Sequence, residues 1–259
     1  MTTVGASTTA ANPVIRHCQG VEEMRACVGL QRDVWGFADE DLVPLRLFVV
    51  AEKVGGQVIG AFDGERMIGF TMSVPGHRAG RLYLHSHMLA VLPEYQNRGM
   101  GRRLKLFQRE DALSKGIDWI EWTFDPLEIK NAFLNIERLG AIVRRYNINQ
   151  YGITSSPLQG GLPTDRLVAE WWLNSPRVLT LLETGSHPPV ATEGTIRIPS
   201  HVYSWKKDPS TRGKALELQS HIRERFMDYF KAGLSVVAYE VDAEGNGTFH
   251  LGKWDEDSR

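Results

Sequence analysis

Leu84–Gly101, LHSHMLAVLPEYQNRGMG, sets two histidines and an apolar run directly before a polar loop that carries two glycines. With the three residues ahead of it, RLYLHSHMLAVL has the apolar-rich pattern of a strand. From Gly99 to Lys115 the chain turns helical, with Leu104, Leu106, Phe107 and Leu113 for an inner face and Gly116 as its stop. The loop between them, Gln96–Gly101, therefore joins a strand to a helix. Glycines there let the backbone approach an anion closely, and the first-turn N–H groups of the helix supply donors and a partial positive charge. This is a place for a phosphate or pyrophosphate, with Arg98, Arg102 and Arg103 adding charge. It is neither the three-glycine dinucleotide fingerprint nor a Walker loop, which ends in Gly-Lys-Ser/Thr. Taken alone, so short a motif is equally well a plain strand-to-helix turn.

Outward from this unit the chain keeps alternating. VIRHC reads as a strand, and GVEEMRACVGLQRDVWG as a helix with Val21, Met24, Val28 and Val34 at helical spacing. Pro44–Lys53 forms a second helix before Gly55-Gly56, and QVIGAFDGERMIGFTMSVPG a hairpin turning at Asp63-Gly64. IDWIEWTF is a strand, NAFLNIERLG a helix and AIVRRYNI a strand. The reading is an α/β fold of the mixed α+β kind, in which a helix follows a central strand. Three regions are expected: a disordered tail at 1–13, a principal domain at 14–155 and a C-terminal α/β extension at 156–259. In the extension, SSPLQGGLPTD and SHPPVATEG are connectors, DRLVAEWWLNSPRVLTLLE is read as helical with a break near Pro176, and a long helix precedes a terminal hairpin.

The 259 residues carry a net charge of -1 and 42% hydrophobic residues, so there is ample material for a core and nothing global attracts nucleic acid or an anionic membrane. The N-terminus lacks a basic segment and an apolar h-region, and LRLFVVA is too short to span a bilayer. Cys18 and Cys27 read as buried thiols, consistent with a cytoplasmic setting.

The run MLAVLPEYQNRGMGRRL resembles the acyl-CoA-binding motif of the GNAT superfamily of N-acetyltransferases: an apolar strand, Pro-Glu, a Q/R-x-x-G-x-G/A loop, then a helix. The resemblance spans roughly residues 14–150 and includes the order of elements. It implies the GNAT fold, acetyl-CoA or another acyl-CoA as co-substrate, and transfer to an amine. It implies further that Gln96, Asn97, Arg98, Gly99, Met100, Gly101 and Arg102 bind the CoA pyrophosphate. Leu89, Ala90 and Val91 would pair with the pantetheine arm where the strand splays from its neighbour. Asn131 or Asn135 would keep a further CoA contact, Asn131 being also a candidate helix cap.

Transfer to an amine needs a base, and histidine titrates in the right range. His85 and His87, two apart on a strand, share a face. They stand eleven and nine positions before Gln96, the offsets at which arylalkylamine N-acetyltransferase carries its paired histidines. His85 is the first choice as base and His87 its relay or a substrate contact; hydrogen-bonded structural histidines are the plainer alternative. No third metal ligand is evident near them, so no metal is expected. Glu121, on the parity of Thr123 and Asp125, is a third catalytic candidate, able to orient an amine or tune a histidine, although a capping or salt-bridged role is commoner.

The family's tyrosine acid is missing: laying IERLGA on the family's Y-E-K-L-G-F puts Ile136 there. Water, Tyr146 or Tyr151 would have to supply that proton, or the thiolate leaves unprotonated. Substrate-side candidates are Trp35, Phe37, Arg46, Arg81, Tyr151, Trp171 and Trp172. The expectation is an acyltransferase moving an acetyl or succinyl group to a small-molecule amine, an amino acid being the first guess. Against it stands a noncatalytic acyl-CoA-binding or regulatory protein. Whether the C-terminal region closes the site or builds a homodimer is open from sequence.

Overall fold

The hairpin expected at Asp63-Gly64 forms between β2 (Gln57–Asp63) and β3 (Arg66–Arg78), turning at Gly64 with a φ of 59°. It is one corner of the fold in a computed structural model that describes residues 12–255. The expected tail lies almost wholly outside the described residues; Asn12 and Pro13 accept hydrogen bonds from the Arg103 guanidinium.

The remaining strands are β1 (Val14–His17), β4 (Arg81–Val91), β5 (Trp119–Phe124), β6 (Ile142–Asn147), β7 (Arg166–Trp172), β8 (Gly194–Ile198), β9 (Leu234–Val241) and β10 (Gly247–Lys253). The helices are α1 (Gly20–Trp35), α2 (Leu45–Lys53), α3 (Met100–Ser114), α4 (Ile129–Phe133), α5 (Pro176–Thr184), α6 (Val202–Lys207) and α7 (Arg212–Lys231). All ten strands join one mixed sheet in the order β1-β2-β3-β4-β5-β7-β6-β9-β10-β8. Its pairings are antiparallel except β4 with β5.

That parallel ladder is only two rungs long, Leu84 with Ile120 and His85 with Glu121. The apolar core divides near the same place. One cluster gathers α1, α2, β2, β3 and the start of α3 around Phe48, Phe70 and Leu104. The other gathers β5–β10 with α4–α7 around Ile136, Trp171, Phe226 and Phe249. Cys18 and Cys27 are free thiols buried in the first cluster.

The expected helix over residues 165–183 is wrong in its first half. Arg166–Trp172 is β7, paired on one side with β5 and on the other with β6, and α5 begins only at Pro176 behind the Ser175 cap. A strand covered on both faces loses the polar alternation that marks a strand, and all its residues from Leu167 to Trp172 are buried. Consequently Trp171 and Trp172 are both buried, on opposite faces, where a helix would have buried one.

The segment between β6 and β7 folds back onto the start of the chain. Ser156 Oγ donates to Trp35 O at 2.8 Å, and Ser155 accepts from Ala38 N at 3.0 Å while its own N–H reaches Asp41 at 2.6 Å. It thus links the α1–α2 connection to the far side of the β4–β5 junction.

Candidate active site

Past His85 the two central strands separate, and β4 continues with β3 alone on its flank. The gap is set by a bulge: Met72 pairs with Met88 and Ser73 with Ser86, so His87 is the extra residue. The imidazoles of His85 and His87 remain on one side of the strand, ring centres 6.2 Å apart, as the two-residue spacing suggested.

His85 sits on the last rung, its Nδ1 3.7 Å from Glu121 Oε1, an electrostatic contact longer than a hydrogen bond. Glu121 is 3% exposed and grips two guanidinium groups. Arg78 donates through both terminal nitrogens at 2.6 and 3.0 Å, and Arg145 at 2.6 Å. Burial favours the neutral acid, but His85, Arg78 and Arg145 outweigh it and hold the Glu121 carboxyl down at about 2. An acid so committed accepts no proton at neutral pH, so beside His85 it stands as a fixed negative charge. Desolvation by the protein around it, and then the neighbouring His85, push His87 below its ordinary value, although the residue itself is exposed at the surface.

Arg78 and Arg145 are absent from the candidates the sequence supplied. Arg78 lies at the far end of β3. Arg145 is one of a consecutive pair that period-two reasoning sends to opposite faces, yet a bulge between Val143 and Arg145 lets both arginines reach Glu170, at 2.7 and 3.3 Å. Lys105 was missed as well. Fully buried behind β4, it donates to Ser86 Oγ at 2.7 Å and Gln108 Oε1 at 3.1 Å, and its Nζ lies 3.7 Å over the Trp122 ring. Burial drives its pKa far below the usual lysine range. Ser86, which it anchors, is the residue between the two histidines.

At the other end of the gap, Leu92 N–H bonds Ile68 O. By the alternation of an antiparallel ladder, Val91 and Leu89 then turn their backbone groups away from β3 into the gap, whereas Ala90 turns toward β3. The loop that follows is open to solvent from Gln96 to Gly99. Gln96 braces this loop against the strand end, its N–H bonding Pro93 O and its side chain closing on Val91 O at 2.8 Å. Asn97 and Gly99 take positive φ, 58° and 76°. The first hydrogen bond of α3 runs from Arg103 N to Gly99 O, and no side chain caps the helix, so the N–H groups of Met100, Gly101 and Arg102 lie ahead of the ladder. Arg102 Nε also ties this start to Arg138 O at 3.1 Å.

Gly101 faces Leu89 and Leu134 across a space that would admit a Cβ with contacts of 3.8 and 3.7 Å. Leu134 opens a π-helical turn, Leu134–Arg138, which continues α4. Here Asn135 is 4% exposed, and its side chain makes no hydrogen bond with any described residue. Asn131 faces solvent and is not the cap, since α4 begins at Ile129. Ile136 is wholly buried in the larger core. Of the two tyrosines proposed in its place, Tyr146 is committed: it donates to Asp165 at 2.7 Å, and burial followed by that carboxylate pushes its pKa up. Tyr151 is 45% exposed, and its hydroxyl lies 3.1 Å from Thr123 Oγ1, on the free stretch of β5.

Three of the seven expected substrate residues, Trp171, Trp172 and Arg81, are otherwise engaged. Trp171 meets Trp122 edge-on and Trp172 stacks on Trp119, with ring centres 5.9 and 4.9 Å apart. Arg81 pairs with Asp118 at 2.8 Å. Asp125 is salt-bridged to buried Lys206 at 3.0 Å. Trp35 and Phe37 are partly buried with ring centres 5.4 Å apart, Tyr151 lies within the segment between β6 and β7, and Arg46 is exposed.

Residues 24–133 match the acetyltransferase (GNAT) family model. Among solved structures, a Salmonella typhimurium protein described as an acetyltransferase, with its cofactor acetyl-CoA, is 16% identical with a TM-score of 0.51, covering 62% of this chain and 94% of that one. A GNAT-family acetyltransferase from Streptococcus pneumoniae is 15% identical with a TM-score of 0.50, covering 61% and 98%. A Desulfovibrio desulfuricans protein described as of that family is also 15% identical at 0.50, covering 62% and 99%. No curated protein matches the chain. At these identities the likeness speaks for the fold alone, over about three fifths of the chain.

Proposed function

Because the chain carries a GNAT-family acetyltransferase domain over residues 24–133, we propose that it is a CoA-dependent N-acyltransferase, moving an acetyl or succinyl group to the amine of a small molecule, with amino acids as the first acceptors to try. The observation that carries this reading is the parting of β4 from β5 directly after the His85–Glu121 rung, with the uncapped start of α3 at the other end of the same strand.

The residues present fit an acyl-CoA. The N–H groups of Met100, Gly101 and Arg102 suit the pyrophosphate. The gap-facing backbone of Leu89 and the N–H of Val91 suit the pantetheine amides, and the Asn135 amide, which bonds no described residue, is the further CoA contact that the family resemblance implies. Bound there, acyl-CoA supplies the thioester carbonyl that an amine attacks. With Nδ1 turned to Glu121, His85 presents Nε2 to the amine and takes its proton. Glu121, fixed by Arg78 and Arg145, steadies the imidazolium that results. Tyr151, exposed and 3.1 Å from Thr123 Oγ1, is the tyrosine left available to return a proton on the leaving side.

The deciding experiment follows thiol release from acetyl-CoA and succinyl-CoA over a panel of amines and amino acids. Amine-stimulated release supports the enzyme. Tight CoA binding without stimulation by any amine supports a noncatalytic acyl-CoA-binding protein, the reading that Ile136, sunk in the core, favours.

A further inference from the structure

Lys105 is 2% exposed, and lysine is among the residues least often buried without a charged partner. Burial drives its pKa well below the lysine range, with no carboxylate opposing the shift. The proposed chemistry makes no use of this amine. A methionine would fill similar space without the desolvation cost, so packing does not account for the nitrogen.

Its place beneath the sheet does. The parallel ladder ends at His85 and Glu121, and the next residues along the two strands are Ser86 on β4 and Trp122 on β5. Lys105 reaches both from α3: its Nζ donates to Ser86 Oγ at 2.7 Å and lies 3.7 Å from the centre of the Trp122 ring. Trp122 is itself set edge-on against Trp171. One turn further along the same helix, Gln108 accepts from Lys105 at 3.1 Å and donates to Thr71 Oγ1 at 3.3 Å, and Thr71 Oγ1 donates to Met88 O at 2.8 Å. Ser86 and Met88 stand on either side of His87, the extra residue of the bulge. Thr71, Ser86 and Gln108 are all buried, so each bond lost here leaves a polar group without water to replace its partner.

We propose that Lys105 is a positioning residue, a wedge that keeps β4 and β5 parted at the fork and, with Gln108, pins the bulge that carries His87. Without the wedge the parallel ladder is free to gain a further rung, and a slip of one residue in β4 turns its side chains to the opposite face. The use of the opening rests on the acyl-CoA reading: the pantetheine arm enters at the fork, while the pyrophosphate stays at the start of α3.

Two probes separate the wedge from a general structural role: CoA, and 3′-phospho-ADP, which carries the phosphates of CoA without the pantetheine arm. In calorimetry of the full chain, Lys105→Met should weaken CoA about tenfold and leave 3′-phospho-ADP within about twofold. A second measurement needs no substitution. In nitrogen NMR of the unaltered chain, the Lys105 Nζ signal should shift when CoA saturates the protein and hold still when 3′-phospho-ADP does. With no ligand present, the imidazole signals of His85 and His87 should both move in Lys105→Met. Equal weakening of the two probes, no weakening of either, or an Nζ signal that answers both alike would overturn the wedge. So would histidine signals that the variant leaves in place. If the unaltered chain binds neither probe, the acyl-CoA reading fails, and the ligand-free histidine signals then decide the wedge by themselves.

Discussion

His85 faces Glu121 across the last rung of the parallel ladder, 3.7 Å from ring nitrogen to carboxylate oxygen, and beyond that rung β4 and β5 separate. The imidazole is therefore held on one edge and free on the other, at the mouth of the gap.

If His85 is the base, His85→Ala should lower kcat by about 10²-fold or more, the usual contribution of a positioned proton acceptor, while CoA affinity stays within about twofold. Unchanged turnover would remove it from the mechanism. His87 provides a companion measurement by NMR titration. Its midpoint should lie below the ordinary 6.5. His85→Gln should raise it part of the way, because the neighbouring charge is removed and burial is not. A midpoint at or above 6.5 in the unaltered chain would contradict the desolvation described for it.

Glu121 links the site to stability. Its folded pKa, about 2, lies below the ordinary 4.5, so its ionised form contributes stability that is complete above pH 4.5 and lost as pH falls toward 2. The contribution is about 2 kcal/mol after discounting for arginines that partly reach solvent. Denaturation of the unaltered chain and of Glu121→Gln should differ by about that much at pH 7 and converge near pH 2. A difference that stays constant with pH would show that the carboxylate's charge is not what the arginines hold.

Gly99 is required by backbone conformation, not by space, for a Cβ there meets nothing within 4 Å and the residue sits at a φ of 76°. Gly99→Val should strain the loop by about 1–2 kcal/mol and tilt the donors at the start of α3. The expected result is CoA binding weakened about tenfold with kcat at saturating acyl-CoA little changed. Retained affinity in calorimetry would move the pyrophosphate away from this loop.

The strand, loop and helix around Leu84–Gly101 were legible because each carries its own local signal: apolar patterning, paired glycines and a helical period. The alternation placed His85 and His87 on one side correctly despite the bulge. What the sequence hid depends on long-range pairing. Arg166–Trp172 looked helical because burial on both faces erased its alternation, and its position between β5 and β6 is what causes that burial. Arg145 escaped notice because the bulge that turns it toward Glu121 leaves no mark in the residue order.

In the proposed acyl transfer, Ile136 and Tyr151 bear on how the leaving side would work. Restoring the family's tyrosine with Ile136→Tyr should not raise turnover. The side chain at 136 is wholly buried, so a phenol there overpacks the core by about 1–3 kcal/mol and buries a hydroxyl without a prepared partner. Tyr151 reaches the free stretch of β5 through Thr123 and keeps an exposed hydroxyl. Tyr151→Phe should lower kcat about tenfold with little change in KM for the amine, less than the ~10²-fold typical of acid–base groups because a thiolate leaves readily. The loss should shrink when the donor carries a thiol of lower pKa than CoA, since such a group needs the proton least. An Ile136→Tyr variant that gains turnover, or a Tyr151→Phe loss independent of the leaving thiol, would assign the proton to a different group.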